Sequence, residues 1–481
     1  MNNLLRVVDD NFIYKGKNYK LQDLLTVDFY KYSDTIYQNY KNDFFIENEL
    51  FFTFIQPILA IDYFIKNNHI NKIELNTKNY KIYCSIKSVA IYSNVQISTK
   101  NILYWSMAQI GIKIQNILLY VVSAIYLFTL MISIKYTGEP DRNKKTFSII
   151  RLNQTYQKLR FLLNNENICF DFENVMSTLK NNKQAVKNGI VYNRFKLNKR
   201  LKWIIEALVD GIKEMRKYKK FLTQKINIYC YYNVELFYSK RIIHTLFYSK
   251  MIEEYFSLYK GKDYITGNII DRYALIEAHF AKKNNIKIYT IPHGIEYGFL
   301  LPYGLVGDKF YATSEYARDY FNSAYNTDKF IYDYNIMKKM LKVECSDNCI
   351  KNRIIFFTEA HEQEVNIEII KGLHNILSKY GINLTVKLHP LEKKKDYKEV
   401  DKLVSFEDSF EKSINNSICI ARRSTILVEA LYNNSKACSI LINENDYAIY
   451  RNYPSLQDKR IKCFYNINEL GNFLISEKGR N

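Results

Sequence analysis

The sequence contains little glycine and proline, 15 and 6 residues among 481. Disordered and low-complexity segments are usually rich in one or both, so the scarcity predicts a chain that is folded over most of its length. A chain of this length is too long for one ordinary core, which predicts two or three domains.

Several familiar motifs are also missing. The sequence has no P-loop, no GxGxxG after a strand, no HExxH helix and no DxD-like acidic pair at a strand end. Their absence argues against an NTPase, a Rossmann dehydrogenase and a metal-dependent transferase. We therefore expect a site that needs neither a metal ion nor a bound cofactor.

The eight cysteines are scattered, and most lie in apolar strand-like runs, where cysteine behaves as a small hydrophobic residue. This distribution favours a reducing compartment. Cys345 and Cys349 are the only close pair, and no second Cys or His pair follows at zinc-site spacing. The N-terminus lacks the apolar segment of a signal peptide, so we expect a protein that is not secreted.

Acidic residues are outnumbered, 49 against 69 Lys and Arg, which gives a formal net charge of +20. Such a charge predicts an anionic partner: nucleic acid, a membrane surface or an acidic substrate. The most basic stretch, 194–220, reads as helical and has few aromatic residues placed for stacking on bases. We therefore expect no nucleic-acid partner, and interpret this stretch as a surface for anionic lipid or glycan.

Ile117–Ile134 is an uncharged run of 18 residues between Lys113 and Lys135. That length just allows a transmembrane helix, and the alternative is a buried or membrane-surface helix. A true span would separate the first hundred residues from the strands with which they are expected to fold. We therefore predict a cytoplasmic protein that lies peripherally on the inner face of the cytoplasmic membrane.

Strand patterns separated by helical patterns recur along the chain and predict α/β domains with doubly wound parallel sheets. A strand is also expected near Val89–Tyr92. We predict a Rossmann-like domain over 1–327, with a basic and apolar helical insertion at about 101–140 and 185–222. A linker over 328–352 and a second Rossmann-like domain over 353–481 are expected to follow, with a cleft between the two domains.

In the second domain, the run Leu384–Leu388 ends at His389-Pro390. Proline lacks a backbone donor and disfavours helix at the preceding residue, so Lys387 and His389 are expected at the C-terminal end of a strand. Ligands in open α/β sheets bind beyond this end of the strands.

A second predicted strand is followed by Arg422, Arg423, Ser424 and Thr425 at the start of a helix, with Glu429 one turn further. Free amides and hydroxyls at a helix start suit a phosphate. We therefore expect the two arginines, the two hydroxyl side chains and His389 to converge on one anion.

Two more loop histidines stand out among the seven in the chain. His293 follows a predicted strand in IPHGIEYG, and Gly294 beside it lets a ligand approach the backbone. His361 lies in TEAHEQE, after the first strand of the second domain and behind Thr358 and Glu359. The other four histidines are expected to be solvated or hydrogen-bonded within the fold.

The HG loop that ends the first domain, with KLHP and RRSTILVEAL in the second, resembles GT-B glycosyltransferases that build bacterial surface polysaccharides. The pattern is similar to sialyltransferases and polysialyltransferases that use CMP-sialic acid, which carry an HP and a Ser/Thr motif. Capsule Kdo transferases and CDP-glycerol glycerophosphotransferases, which pair HG with HP, are nearly as similar. The likeness is strongest over roughly 225–450.

The resemblance implies roles for individual residues. His389 is expected to bind the donor phosphate or protonate the leaving group, Ser424 and Thr425 to hydrogen-bond the phosphate, and Glu429 to hold ribose hydroxyls. His293 is expected across the cleft, near the acceptor.

One feature departs from the bacterial sialyltransferases, in which an acidic motif supplies the base. The comparable place here reads Pro292-His293-Gly294, which makes His293 or Glu296 the expected base. We therefore predict a metal-independent, inverting glycosyltransferase with a CMP, CDP or UDP sugar donor and a glycan or lipid-linked glycan acceptor. Its expected product is a capsule, O-antigen or lipooligosaccharide. The alternatives are a glycerophosphotransferase, a UDP-sugar epimerase of the same fold, and a binding protein with a decayed transferase fold.

Overall fold

The computed structural model describes residues 3–38, 51–99, 102–151, 153–171, 189–225, 232–267, 272–292, 307–344, 352–360, 362–451 and 453–479. The strands are β1 (Leu4–Val8), β2 (Asn11–Tyr14), β3 (Lys17–Lys20), β4 (Lys72–Asn76), β5 (Gln96–Thr99), β6 (Thr146–Ile150), β7 (Ile168–Phe170), β8 (Asp263–Thr266), β9 (Lys287–Thr290), β10 (Lys309–Tyr311), β11 (Phe330–Ile331), β12 (Ile354–Phe357), β13 (Leu384–Lys387), β14 (Ser405–Phe406), β15 (Ile418–Ala421), β16 (Lys436–Ile440) and β17 (Ile461–Phe464). The α-helices are α1 (Val27–Gln38), α2 (Gln56–Asn67), α3 (Tyr80–Ser93), α4 (Ile102–Ser133), α5 (Asn153–Leu163), α6 (Leu197–Lys225), α7 (Tyr232–Ser257), α8 (Arg272–Lys283), α9 (Glu315–Tyr325), α10 (Tyr334–Leu341), α11 (Gln363–Leu377), α12 (Phe410–Ile414), α13 (Ile426–Leu431), α14 (Glu444–Arg451) and α15 (Ile467–Gly479).

Two six-stranded sheets confirm the predicted fold class, an α/β protein with two Rossmann-like domains facing a cleft. The first sheet has the order β11-β10-β9-β8-β6-β7, and the second has the order β14-β13-β12-β15-β16-β17. Every strand pair in both sheets is parallel. Numbered along the chain, the second sheet follows the 3-2-1-4-5-6 order of dinucleotide-binding folds, whose strand order reverses between β12 and β15.

The first hundred residues differ from the prediction, because they form a sheet of their own. Its order is β3-β2-β1-β4-β5, with an antiparallel meander on one side and parallel pairs on the other. The strand expected near Val89–Tyr92 is the end of helix α3 instead. Ile82, Ile86 and Val89 are buried at helical spacing, and packing of this face against α2 outweighs the β propensity of the run.

The predicted linker also differs. Within 328–344 the structure has β11, which pairs with β10, and α10, which packs against α5. Both elements belong to the first Rossmann-like domain. A two-residue strand and an eight-residue helix are too short for a visible periodicity, which explains the missed assignment. Residues 345–351, with Cys345 and Cys349, lie outside the described residues.

The two Rossmann-like domains are joined through buried tyrosine and asparagine side chains. The Tyr432 hydroxyl donates to the carbonyl of Thr313 at 2.7 Å and lies 3.2 Å from the Tyr332 hydroxyl. The amide of Asn433 donates to the carbonyl of Leu341 at 2.8 Å. These contacts fix the start of α9 and the end of α10 against the helix that follows β15.

His244 is buried within the first domain, as expected for a hydrogen-bonded histidine. Its Nε2 lies 2.5 Å from the Tyr192 hydroxyl and its Nδ1 lies 2.6 Å from the Tyr273 hydroxyl. Burial, together with the positive charges of Arg272 and Arg151, lowers the pKa of His244 to about 3. The ring is therefore neutral in the folded chain at neutral pH.

This burial predicts a loss of stability in acid. The folded pKa lies below the unfolded value near 6.5, so between about pH 3 and 6.5 only the unfolded chain binds the extra proton. The contribution of neutral His244 is complete above pH 6.5 and decreases as the pH falls, by at most about 1.4 kcal/mol per pH unit. Urea unfolding at pH 7 and pH 5 should show a smaller decrease for His244→Gln than for the wild type. The exposed His279→Gln serves as the control, and equal pH dependence in all three proteins would contradict this role.

Candidate functional site

The carboxyl ends of three neighbouring strands form the edge at which the predicted motifs meet. Strand β12 pairs with β13 on one side and with β15 on the other. Thr358 and Glu359 follow β12, His389 follows β13 by two residues, and Arg422 follows β15 directly. The structure therefore brings these sequence-distant motifs to one edge, at the point where the strand order reverses and ligands bind in such sheets.

The turn after β13, residues 388–392, holds His389 in one orientation. The N–H of Leu391 donates to Nδ1 of His389 at 3.2 Å, and the N–H of His389 donates to the Thr358 hydroxyl at 2.9 Å. Because Nδ1 accepts, the neutral ring carries its proton on Nε2. The half-buried imidazole thus presents an N–H donor on the side away from the turn.

Glu392 anchors this turn, and no sequence pattern identified it as a candidate. Its carboxylate accepts hydrogen bonds from the hydroxyls of Thr358 and Tyr397, the latter at 2.6 Å, and from the His389 N–H at 3.3 Å. Burial, and then the hydrogen bond to Glu392, raises the pKa of Tyr397. Thr358 therefore positions His389 rather than offering a free hydroxyl. Lys387, the last residue of β13, is half-buried.

Arg422 and Arg423 are held by acidic side chains, which differs from the predicted convergence on an anion. Arg422 is fully buried between Asp446, to which Nε donates at 3.2 Å, and Glu362. Arg423 donates from Nε to Glu359 at 3.0 Å and from its Nη2 to Glu362. These five residues are called the arginine cluster below. Three carboxylates face two guanidinium groups, so the cluster joins the strand ends and presents no net positive charge.

Pairing with the arginines also lowers the pKa of one carboxylate in the arginine cluster, that of Glu362. Burial works against ionisation of Glu362, but hydrogen bonds from Arg422 and Arg423 outweigh it and hold the pKa of Glu362 below its usual range. Glu359 accepts a further hydrogen bond from the backbone N–H of Arg423, at 2.5 Å.

A pocket lies between the two domains, beside the start of α13. Its lining residues are Lys158, Pro292, Thr313 and Leu341 from the first domain and Thr425, Val428, Glu429 and Ser455 from the second. The space between the lining atoms, counted together with the part open to solvent, is about 270 Å³.

Glu429 and Lys158 are the ionisable side chains that line this pocket. Burial raises the pKa of Glu429, and the nearby positive charge of Lys158 partly offsets the shift. Lys158 also donates to the carbonyl of Pro292 at 3.4 Å. The sequence prediction included Glu429 but missed Lys158, because a single lysine in a surface-patterned helix has no distinguishing signal.

Thr425 lines the pocket, whereas Ser424 beside it has a local role. The Ser424 hydroxyl accepts from the N–H of Ile426 at 3.4 Å. No hydrogen bond to the Thr425 hydroxyl is made by any residue within the described ranges. Of the predicted hydroxyl pair, Thr425 is therefore the one placed to meet a ligand.

Four predicted site residues, His293, Gly294, Glu296 and His361, lie outside the described residues. Pro292, which immediately precedes His293 in the sequence, lines the pocket. The assignment of a base to His293 or Glu296 stays a prediction.

Comparison with known proteins shows remote structural likeness only. No protein-family model matches the chain, and no curated protein is significantly similar to it. A solved structure from Listeria monocytogenes, assigned as a UDP-N-acetylglucosamine 2-epimerase, is 9% identical, with 69% of this chain and 88% of that chain covered and a TM-score of 0.40. A UDP-N-acetylglucosamine 2-epimerase from Rickettsia bellii is 13% identical, with 70% and 95% covered and a TM-score of 0.31. At these scores the two structures carry no argument about substrate or reaction.

Proposed function

We propose that this chain is a glycosyltransferase that takes a sugar from a CMP, CDP or UDP donor and adds it to a bacterial cell-surface polysaccharide. The pocket between the domains is the observation that carries the proposal. It combines Thr425 and Glu429, from the edge where a Rossmann-like sheet binds ligands, with Lys158 and Pro292 of the facing domain. A transferase needs such a boundary because donor and acceptor must meet between two binding surfaces.

The donor is assigned to the second domain, with Lys158 of the first domain as an additional contact to its phosphate. The Thr425 hydroxyl and the Lys158 ammonium suit a phosphate, since one donates a hydrogen bond and the other supplies positive charge. The Glu429 carboxylate suits ribose hydroxyls. The Nε2–H of His389 is proposed to donate to the departing phosphate, which stabilises the charge that develops as the bond to the sugar breaks.

The acceptor is assigned to the first domain, with His293 or Glu296 taking the proton of its attacking hydroxyl. Pro292 in the pocket wall supports this assignment, because the chain reaches His293 one residue later. Glu359, Glu362 and Asp446 at the second-domain edge are already paired with arginines, so none of them is free to ligate a divalent ion. We therefore expect turnover to continue in EDTA.

A panel of nucleotide sugars tests the proposal directly. The full chain is incubated in EDTA with CMP, CDP and UDP sugars and with CDP-glycerol, with and without lipooligosaccharide or capsule oligosaccharide. Acceptor-dependent release of nucleotide from a sugar donor is expected. Release of nucleotide from CDP-glycerol, but from none of the sugar donors, would indicate a glycerophosphotransferase. Formation of an epimerised nucleotide sugar in the absence of an acceptor would indicate an epimerase. Binding without any reaction would indicate a non-enzymatic protein, and each of these three outcomes would overturn the proposal.

A lysine variant links the activity to the pocket. Lys158→Met should lower kcat/KM for the donor by roughly 10- to 100-fold, the usual effect of losing one charge-assisted contact. Arg160→Met, an exposed change on the same helix, should stay within about threefold. Equal activity of the two variants would place the donor elsewhere.

A further inference from the structure

One face of helix α4 is apolar and exposed along almost its whole length. The segment Leu103–Ser133 is long and apolar enough to cross a membrane, yet only 17% of its most apolar window is buried. At 1.5 Å per residue, its 31 residues extend about 46 Å. The exposed apolar side chains follow helical spacing: Leu103, Met107, Ile110, Ile114, Ile117, Leu118, Val121, Val122, Ile125, Phe128 and Ile132.

Helix α6 extends this surface. Tyr120 of α4 donates its hydroxyl to the carbonyl of Leu208 at 2.6 Å, which fixes the side of α6 that faces α4. Ile205 and Ile212, three residues before and four after Leu208, are exposed on that side, and Val209 lies next to them. We call the exposed faces of α4 and α6 together the apolar ridge. Monomeric soluble proteins rarely expose a continuous apolar surface of this length.

Basic residues border the ridge on α6. Lys202, Lys213 and Arg216 are exposed and lie three or four residues from Ile205, Val209 and Ile212 respectively, and Lys220 follows one turn later. Glu206 and Asp210 contact Lys250 of α7 at 3.1 and 3.4 Å, and they also lie 4.0 and 3.7 Å from Lys202 and Lys213. Glu214, the third acidic residue of α6, pairs with Lys217. Within the part of the chain that the structure describes, Arg216 and Lys220 have no acidic partner. The flank of the ridge is therefore positively charged.

Hydrogen bonds hold α4 to the charged helices α6 and α7 along its length. Ser123 donates to the carbonyl of Lys240 at 3.1 Å. Asn116 donates to Glu235 at 3.3 Å, and Arg200 donates to the carbonyls of Met131 and Ile134 at 2.7 and 2.9 Å. Spanning a bilayer in this arrangement would bring the charges of α6 and α7 into hydrocarbon, at a cost of several kcal/mol each.

We propose that the apolar ridge lies in the plane of an anionic lipid surface, with its apolar side chains between the headgroups and its basic flank on the lipid phosphates. Pairing with a second copy is disfavoured, because a two-fold contact would bring the same basic flank close to itself. The inference rests on the shape and charge of the ridge and is independent of the proposed reaction.

Vesicle flotation of the full chain tests it, using phosphatidylcholine vesicles with and without phosphatidylglycerol. We expect binding to the anionic vesicles, and at least tenfold weaker binding to the neutral ones or at about 1 M salt. Ile114→Gln with Ile117→Gln and Ile125→Gln should abolish binding, while Ile91→Gln with Tyr380→Gln, two exposed apolar changes elsewhere, should not alter it. Arg216→Gln with Lys220→Gln should weaken binding to anionic vesicles about tenfold or more.

Five results would overturn the proposal. They are an absence of binding to either vesicle, full binding by the triple isoleucine variant, and equal binding to neutral and anionic vesicles. The fourth is release from cell membranes only by detergent and not by alkaline carbonate, which would identify a spanning helix. The fifth is a second copy of the chain on the ridge. Light scattering would then show a dimer that the triple isoleucine variant converts to a monomer, and the chain would not bind vesicles.

Discussion

Replacement of His389 by alanine is expected to lower turnover by about 10²- to 10⁴-fold, the usual range for loss of a general acid or base. The ring is half-buried, and its Nδ1 accepts a single hydrogen bond, from the Leu391 N–H, so removal of the ring should leave the fold intact. The physical reason for the loss is the Nε2–H, which the structure fixes by using Nδ1 as an acceptor. Initial rates with saturating donor, together with far-UV circular dichroism, measure both effects.

The His389→Asn variant distinguishes a catalytic role of His389 from a role in holding the turn. Its side-chain oxygen can still accept from Leu391 and preserve the turn, but the outer N–H is lost. We expect this variant to be as impaired as alanine. His374→Ala, a half-buried histidine of the same domain, should retain normal rates. An active asparagine variant would show that His389 only shapes the turn.

Replacement of Arg422 by alanine is expected to destabilise the chain by about 3–5 kcal/mol, because it leaves a buried carboxylate without its counter-charge. Arg422 and Asp446 are both fully buried and paired, and Glu362 is hydrogen-bonded to the same guanidinium. Urea denaturation followed by circular dichroism measures the change. A role in ligand binding would instead give a stable protein with weakened nucleotide affinity, and titration calorimetry distinguishes the two results.

Two further variants sharpen this test. Arg451→Ala, an exposed arginine on α14, should change stability by less than about 0.5 kcal/mol. Arg422→Met combined with Asp446→Asn should recover part of the loss, because neither member of the pair then leaves an unpaired charge. If the double variant is less stable than Arg422→Ala, the buried pair is not the source of the effect.

These tests address the point at which sequence and structure differ most. RRST after a strand is a pattern that suits phosphate, and the arginines do lie at the ligand edge. Their partners Asp446 and Glu362 are 24 and 60 residues away in the chain. Local pattern cannot reveal that carboxylates from two other segments neutralise these guanidinium groups.

Local chemistry nevertheless determined much of the architecture. Proline after His389 ended a strand, β-branched runs alternated with helical spacing, and the two sheets follow from that alternation. The sequence also determined that the apolar run beginning at Ile117 is helical, and the helix ends at Ser133. Prediction from the sequence was wrong where elements are short, as in β11. It was also wrong where tertiary packing outweighs the local β propensity, as at Val89–Tyr92.

Tertiary structure alone decided which of these features face one another. Strand order puts β12 between β13 and β15, and so joins Thr358 to His389 and Glu359 to Arg423. Folding of the first domain brings Lys158 to Glu429, across more than half the chain. Packing of α4 on α6 and α7 leaves its apolar face outside. Burial and charge pairing depend on contacts between residues far apart in sequence, and neither is encoded in the local pattern that selects helix or strand.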